Sequence, residues 1–232
     1  MTAYVDRDDK LRPGDPVIVD RYTTSARINH WITATCLILL AVSGLALFYP
    51  DLFFLTALFG GGANTRALHP WLGIVVLFGF YGLFFRFWRA CLFVRDDLAW
   101  MLGVPDLLAG REEKVPEAGR YNPGQKMFFW AMAGLIIILL ATGLVIWDQY
   151  FDRYTSVDQK RWAVLVHSIC AVLAICAVIT HVSMVIWERG TLRAMTRGHV
   201  TGGWAWKHHR KWLRALVGGG AEDHNPETKR AA

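Results

Sequence analysis

Residues 162–187 read WAVLVHSICAVLAICAVITHVSMVIW, an uncharged run broken only by two histidines, His167 and His181, and a few small polar residues. As an α-helix this run is about 39 Å long, enough to cross a hydrocarbon core of roughly 30 Å. The histidines are 14 residues apart. Fourteen residues turn to within about 40° of four full turns, so both imidazoles leave one face, about 21 Å apart along the axis. Polar side chains at membrane depth are costly and mark function. Imidazole nitrogen is also a ligand for haem iron. One helix carrying a ligand for each of two haems stacked across a bilayer needs this spacing.

Three further apolar blocks, near 29–48, 70–90 and 127–147, join the run at 163–187, and each is long enough to span a membrane. Four buried helices of a soluble protein would each carry a polar face, which these blocks lack. The expected fold is therefore an all-α integral membrane protein, a four-transmembrane-helix bundle. Of 25 Lys and Arg residues, 21 fall in the N-terminal segment, the 2–3 connection with its flanks, and the C-terminal tail; four fall in the other two connections. The positive-inside rule then makes both the N and C termini cytoplasmic. This bias accounts for the net charge of +6 without nucleic acid as a partner. The polar N-terminus does not resemble a signal peptide. The expected organisation is a cytoplasmic segment at 1–28, a dihaem membrane domain at 29–187 and a cytoplasmic tail at 188–232.

Cys36, Cys91, Cys170 and Cys176 lie in or beside apolar spans without CxxC spacing and read as small buried hydrophobes. His199, His208, His209 and His224 belong to the hydrophilic tail. The other four histidines divide by depth. His30 opens span 1 and His69 opens span 2 from the opposite side, just before Pro70, which suits a first helical turn. His167 and His181 lie at the two ends of span 4. Each leaflet thus receives two histidines from two helices, pairing His69 with His167 and His30 with His181. A single membrane histidine reads most simply as a packing or proton-relay group; four at matched depth read as bis-His haem ligation. Gly44 and Gly73 provide room near these positions, and Arg86 and Arg89 end span 2 as membrane anchors or propionate partners.

The connection at 91–126 begins with an amphipathic stretch suited to the membrane interface. It ends Arg120-Tyr-Asn-Pro-Gly-Gln-Lys126. Asn122-Pro123-Gly124 is a turn signal and reads plainly as a helix N-cap. Asn122 and Gln125 also offer amide groups that suit quinone carbonyls.

Taken together, His30-Trp31, Leu68-His69-Pro70, Tyr121-Asn122 with Gly124-Gln125-Lys126, the His167/His181 ladder and the tail Val200-Thr201, Trp204-Ala205 and Lys207-His208-His209 resemble the gamma subunit (cytochrome b) of respiratory formate dehydrogenase. The similarity runs from about residue 22 to 214. The resemblance implies two haem b groups on His30, His69, His167 and His181. It implies electrons received from an iron–sulfur beta subunit, itself served by a molybdenum- or tungsten-pterin alpha subunit, and passed to menaquinone or ubiquinone. It gives Asn122, Gly124 and Gln125 weight as the quinone site, with His181 nearby, and a place in the bacterial cytoplasmic (inner) membrane. Formate chemistry itself lies outside this chain. Pro123 departs from the pattern and removes a backbone N–H from the quinone loop. The tail tryptophans read most simply as membrane-surface adhesion.

Rival readings are the dihaem anchor of a nickel–iron hydrogenase or thiosulfate reductase, a stand-alone dihaem reductase, and a histidine-relay transporter. The last is disfavoured by the absence of visible internal repeats.

Overall fold

A computed structural model describes residues 3–111, 113 and 115–222; His224 lies outside them. The chain forms two compact units. One comprises residues 28–86 and 130–184; the other gathers residues 1–27, 87–129 and 185–232.

Two short strands, β1 (Leu11–Arg12) and β2 (Ile18–Asp20), precede α1 (Thr24–Phe48). A ten-residue 3-10 helix (Pro50–Phe59) leads to α2 (Gly62–Phe87). Then come α3 (Arg95–Leu102), α4 (Val104–Leu108), α5 (Pro123–Ile146), α6 (Asp148–Phe151) and α7 (Val157–Trp187). The chain continues through α8 (Thr191–Arg197), β3 (His199–Thr201), α9 (Gly202–His208) and α10 (Arg210–Glu222).

Among the described residues four helices, α1, α2, α5 and α7, are long and apolar enough to cross a membrane. Their outward surfaces carry Phe78, Phe85, Leu173 and Ile179, all more than half exposed. Such surfaces are stable in lipid and unfavourable in water. Polar contacts bind the helices to one another. Asn29 of α1 donates to the Gly79 carbonyl of α2 (2.9 Å), and Tyr81 of α2 donates to Ala133 of α5 (2.8 Å). Glycine at 79 is required there, because a Cβ would meet the Thr33 hydroxyl at 2.3 Å.

The spans expected at 29–48, 70–90, 127–147 and 163–187 are all present, but each helix begins earlier. The difference matters most in α2. Pro70 was expected in a first turn, yet α2 starts at Gly62 and carries Pro70 in its interior. A proline there cannot donate to the Arg66 carbonyl four residues back. His69 accordingly sits about two turns into its helix.

The second unit departs further from the sequence reading. The N-terminal segment, the 87–129 connection and the tail were expected to be separate, and the fold all helical; instead the three build one core around a small antiparallel sheet of order β1-β2-β3. Val19 faces Val200 across the β2–β3 pairing, and both are buried. Ala194, Ala205, Trp212 and Leu216 pack on them. The tail is therefore not simply a membrane-surface adhesive: Trp212 and His209 are buried in protein.

Two arginines hold this core. Arg120 pairs with Asp6 (2.9 Å) and Asp9 (2.7 Å) and donates to the Arg21 carbonyl (2.6 Å); Arg21 donates back to the Arg120 carbonyl. The Arg21 guanidinium lies 4.9–5.7 Å from the rings of Trp212, Trp204, Tyr121 and Tyr22. Trp212 Nε1 donates to Asp9 at 2.9 Å. Burial lifts the Asp9 carboxyl above its ordinary value, while Arg120 opposes that rise. Burial also pushes the Cys91 thiol up to about 12, which keeps it inert, as expected for a small core residue.

Two outcomes follow. Arg120→Ala strands two carboxylates in the core and lowers stability by about 3–5 kcal/mol, read as a fall in the unfolding midpoint of the purified protein. His209, whose pKa lies well below its usual value because of burial first and Arg21 second, stays neutral in the fold. The unfolded chain therefore binds the extra proton, and stability falls as pH drops below about 6.5, by about 1.4 kcal/mol per pH unit for one proton. Unfolding followed from pH 7.5 to 5.5 shows that slope, and His209→Gln flattens it.

Candidate functional site

The four membrane histidines are half-buried in the 28–86/130–184 unit. His69 of α2 and His167 of α7 face each other, their ring centroids 6.4 Å apart. Two imidazoles bound to one metal through nitrogens at about 2 Å have ring centres roughly 6 Å apart, so this separation already matches bis-imidazole ligation. His30 on α1 and His181 on α7 belong to the same unit. The structure thus brings His69 and His167, one of the expected pairs, into ring contact.

The His69–His167 pair is oriented by two hydroxyls. Ser43 Oγ, on α1, lies 2.8 Å from His69 Nδ1 and donates to the Leu40 carbonyl at 3.0 Å. Thr142 Oγ1, on α5, lies 2.9 Å from His167 Nδ1 and donates to the Ile138 carbonyl at 2.7 Å. A hydroxyl has one proton, and a carbonyl can only accept it. With that proton on the helix carbonyl, each hydroxyl accepts from the imidazole, an arrangement that puts the ring proton on Nδ1 and leaves the Nε2 lone pair available to a metal. Such back-bonding to the preceding helical turn also holds the hydroxyl in place.

A glycine follows each hydroxyl; at Gly44 it lets the ring approach, while at Gly143 a Cβ would make an ordinary contact. A Cβ on Gly44 would meet His69 Cε1 at 3.1 Å, and one on Gly143 would meet His167 Cε1 at 3.5 Å. Gly44 therefore does make room at the pair one turn-set away from His30. Gly73 has a different neighbour: its Cβ would only touch Leu40, a helix–helix contact rather than clearance at the site.

Ser43 and Thr142 were not identified from sequence. The signal was present as an internal repeat, Ser43-Gly-Leu-Ala-Leu47 against Thr142-Gly-Leu-Val-Ile146, placed alike on α1 and α5.

At the other pair the surroundings differ. His30 Nδ1 is buried without a hydrogen-bond partner among the described residues. Its ring packs edge-on against Trp31 at 5.4 Å. The His30 ring thus lacks the kind of acceptor that stands behind His69 and His167. The donor set of four neutral imidazoles in apolar surroundings fits two b-type haems.

The loop at 120–126 has a definite geometry. Asn122 is the N-cap of α5: its Oδ1 accepts from the Gln125 amide (2.9 Å), and Gln125 Oε1 accepts from the Asn122 amide (3.0 Å). This reciprocal capping box uses both side-chain oxygens and leaves both side-chain NH2 groups outside it. Pro123 is the first residue of α5, where a missing N–H breaks no helical bond, so the departure noted from sequence does no damage to the turn. Lys126 closes the first turn by pairing, buried, with Asp97 of α3 at 2.7 Å.

Residues 21–198 match the family described as prokaryotic cytochrome b561. The chain is 42% identical over 196 residues to the cytochrome b556(fdo) subunit of formate dehydrogenase from Escherichia coli strain K12, covering 84% of this chain and 92% of that protein. It is 37% identical over 208 residues to the formate dehydrogenase cytochrome b556 subunit of Haemophilus influenzae, covering 90% and 87%. It is 36% identical over 201 residues to the nitrate-inducible formate dehydrogenase cytochrome b556(Fdn) subunit of E. coli K12, covering 87% and 93%. The chain belongs to the prokaryotic cytochrome b561 family, and with four apolar helices it is a multi-pass protein of the bacterial inner membrane.

Gly44→Val drives a branched side chain into the His69 ring, and the purified variant carries less haem b than the unsubstituted protein in a pyridine haemochrome assay.

Proposed function

We propose that this cytochrome b561-family chain is the membrane subunit of a formate dehydrogenase, with two b-type haems, that carries electrons from an iron–sulfur partner subunit to quinone. The observation that carries the proposal is the His69–His167 pair, two imidazoles at ligation distance with both Nδ1 protons already engaged. The similarity to three formate dehydrogenase cytochrome b556 subunits supports the choice of complex. A molybdenum- or tungsten-pterin subunit would carry the formate chemistry, outside this chain.

His69 and His167 hold one haem and His30 and His181 the other. Haem iron, when bound, supplies reversible one-electron chemistry in a site where lipid and protein exclude water. The chain's own contribution is ligation, orientation and low dielectric. Ser43 and Thr142 fix two of the rings in the tautomer that presents Nε2. The 14-residue spacing of His167 and His181 on one helix sets the two centres about 21 Å apart along the axis.

The distribution of basic residues supports cytoplasmic termini. In that orientation the His69–His167 centre faces the outer side and receives electrons, and quinone is reduced on the cytoplasmic side. Quinone reduction needs two electrons and two protons per molecule. Asn122 and Gln125 keep side-chain NH2 donors outside their capping box, and these suit the two quinone carbonyls, with Gly124 exposed between them. Two electrons crossing the membrane potential outward to inward, with cytoplasmic protons consumed, couple the reaction to membrane energisation at about 2.3 kcal/mol per charge per 100 mV.

Pyridine haemochrome analysis of the purified protein gives two haem b per chain. His167→Ala and His181→Ala each remove one and leave the other; loss of both from either variant contradicts the pairing. Asn122→Ala keeps both haems and raises the KM for quinone about tenfold or more, whereas an unchanged KM leaves the loop as a helix cap alone.

A further inference from the structure

The two histidine pairs differ in what stands behind the rings. At the first, both Nδ1 protons are donated to hydroxyls, at 2.8 Å to Ser43 and 2.9 Å to Thr142. Each of those hydroxyls is locked by its own bond to a carbonyl of its helix. At the second, His30 Nδ1 is buried with no hydrogen-bond partner among the described residues. Whatever His181 contacts, that pair has at most one ring backed by an acceptor.

An acceptor behind Nδ1–H pushes electron density to Nε2 and makes the imidazole a stronger donor to a metal. A stronger axial donor stabilises the ferric state over the ferrous state and lowers the reduction potential. Two such rings act on the first centre. At the second, the His30 nitrogen has no such support.

We propose that Ser43 and Thr142 are positioning residues that set the order of reduction, holding the His69–His167 centre at a lower potential than the His30–His181 centre. The inference rests on the haem ligation proposed above. Each iron gains or loses one electron while both imidazoles remain bound, so no proton or atom is transferred at either centre. Electrons entering at His69–His167 then run downhill towards His30–His181. The direction of flow through the membrane is thus built into two hydroxyls on α1 and α5, at the repeated Ser43-Gly44 and Thr142-Gly143 steps.

The test is a reductive titration of the purified holoprotein, followed in the visible absorbance band of haem b. The unsubstituted protein shows two one-electron waves, and His167→Ala removes the lower one. Thr142→Val and Ser43→Ala each keep two haems and raise the lower wave, by up to tenfold in the reduction equilibrium, or 59 mV for one electron. The upper wave stays where it is. Thr142→Ser keeps the hydroxyl and leaves both waves unchanged. The inference is overturned if the upper wave moves instead, if neither moves, or if His167→Ala removes the upper wave. If Thr142→Val loses a haem, retention by Thr142→Ser supports the role of the hydroxyl, and loss from both overturns it. Fewer than two haems in the unsubstituted protein sinks the ligation reading itself, which separates that failure from this one.

Discussion

An imidazole in hydrocarbon has two nitrogens and no water to satisfy them, and the membrane helices of this chain are built around that requirement. Each nitrogen left unpaired costs about 1–3 kcal/mol or more. His69 and His167 meet the requirement on one side with Ser43 and Thr142. The two rings lie with their centroids 6.4 Å apart. The hydroxyls in turn discharge their single protons into their own helices. The glycine beside Ser43 exists for the same reason, since a Cβ at 44 would strike the His69 ring. Imidazole and facing hydroxyl form one unit that occurs twice, once from α1 to α2 and once from α5 to α7.

A comparable constraint shapes the sheet-bearing unit. Arg21 and Arg120 are almost wholly buried, and a buried guanidinium persists only if its donors are met. Most of those donors are met by two carboxylates, each other's backbone carbonyls and four aromatic faces, while Arg21 Nη1 and Arg120 Nε have no hydrogen-bond partner among the described residues. The participants come from residues 6–22, 120–121 and 204–212. One arginine pair therefore closes three remote segments into a single core. The first 20 residues lie outside the matched family region, yet supply Asp6, Asp9 and the strand partner of β3. The same core fixes Tyr121 and, one residue on, the Asn122 cap that starts α5.

The rival readings separate on these details. A histidine-relay transporter would use imidazoles that change partners; here two are held in one tautomer by hydroxyls with no proton to spare. The match to the cytochrome b561 family and the 36–42% identity to formate dehydrogenase cytochrome subunits point the same way.

Much of the chain was legible in its sequence. Hydropathy over 20-residue windows depends on composition alone, so the four spans were readable without any contact. The positions of His30, His69, His167 and His181 along their helices followed from helical rise and chain direction, and so did the expectation that His69 meets His167. What sequence could not supply were relations between residues far apart in the chain. Ser43 meets His69 across 26 positions, and Asp9 meets Trp212 across 203. No local period encodes such a contact. Pro70 illustrates the other limit: turn statistics put it at a helix start, and packing carried the helix eight residues past it. Local pattern determined which segments enter the membrane and which side chains ride with them; tertiary structure decided which hydroxyl each imidazole meets and how three polar segments become one core, because hydrogen bonds and buried charges are satisfied by neighbours in space.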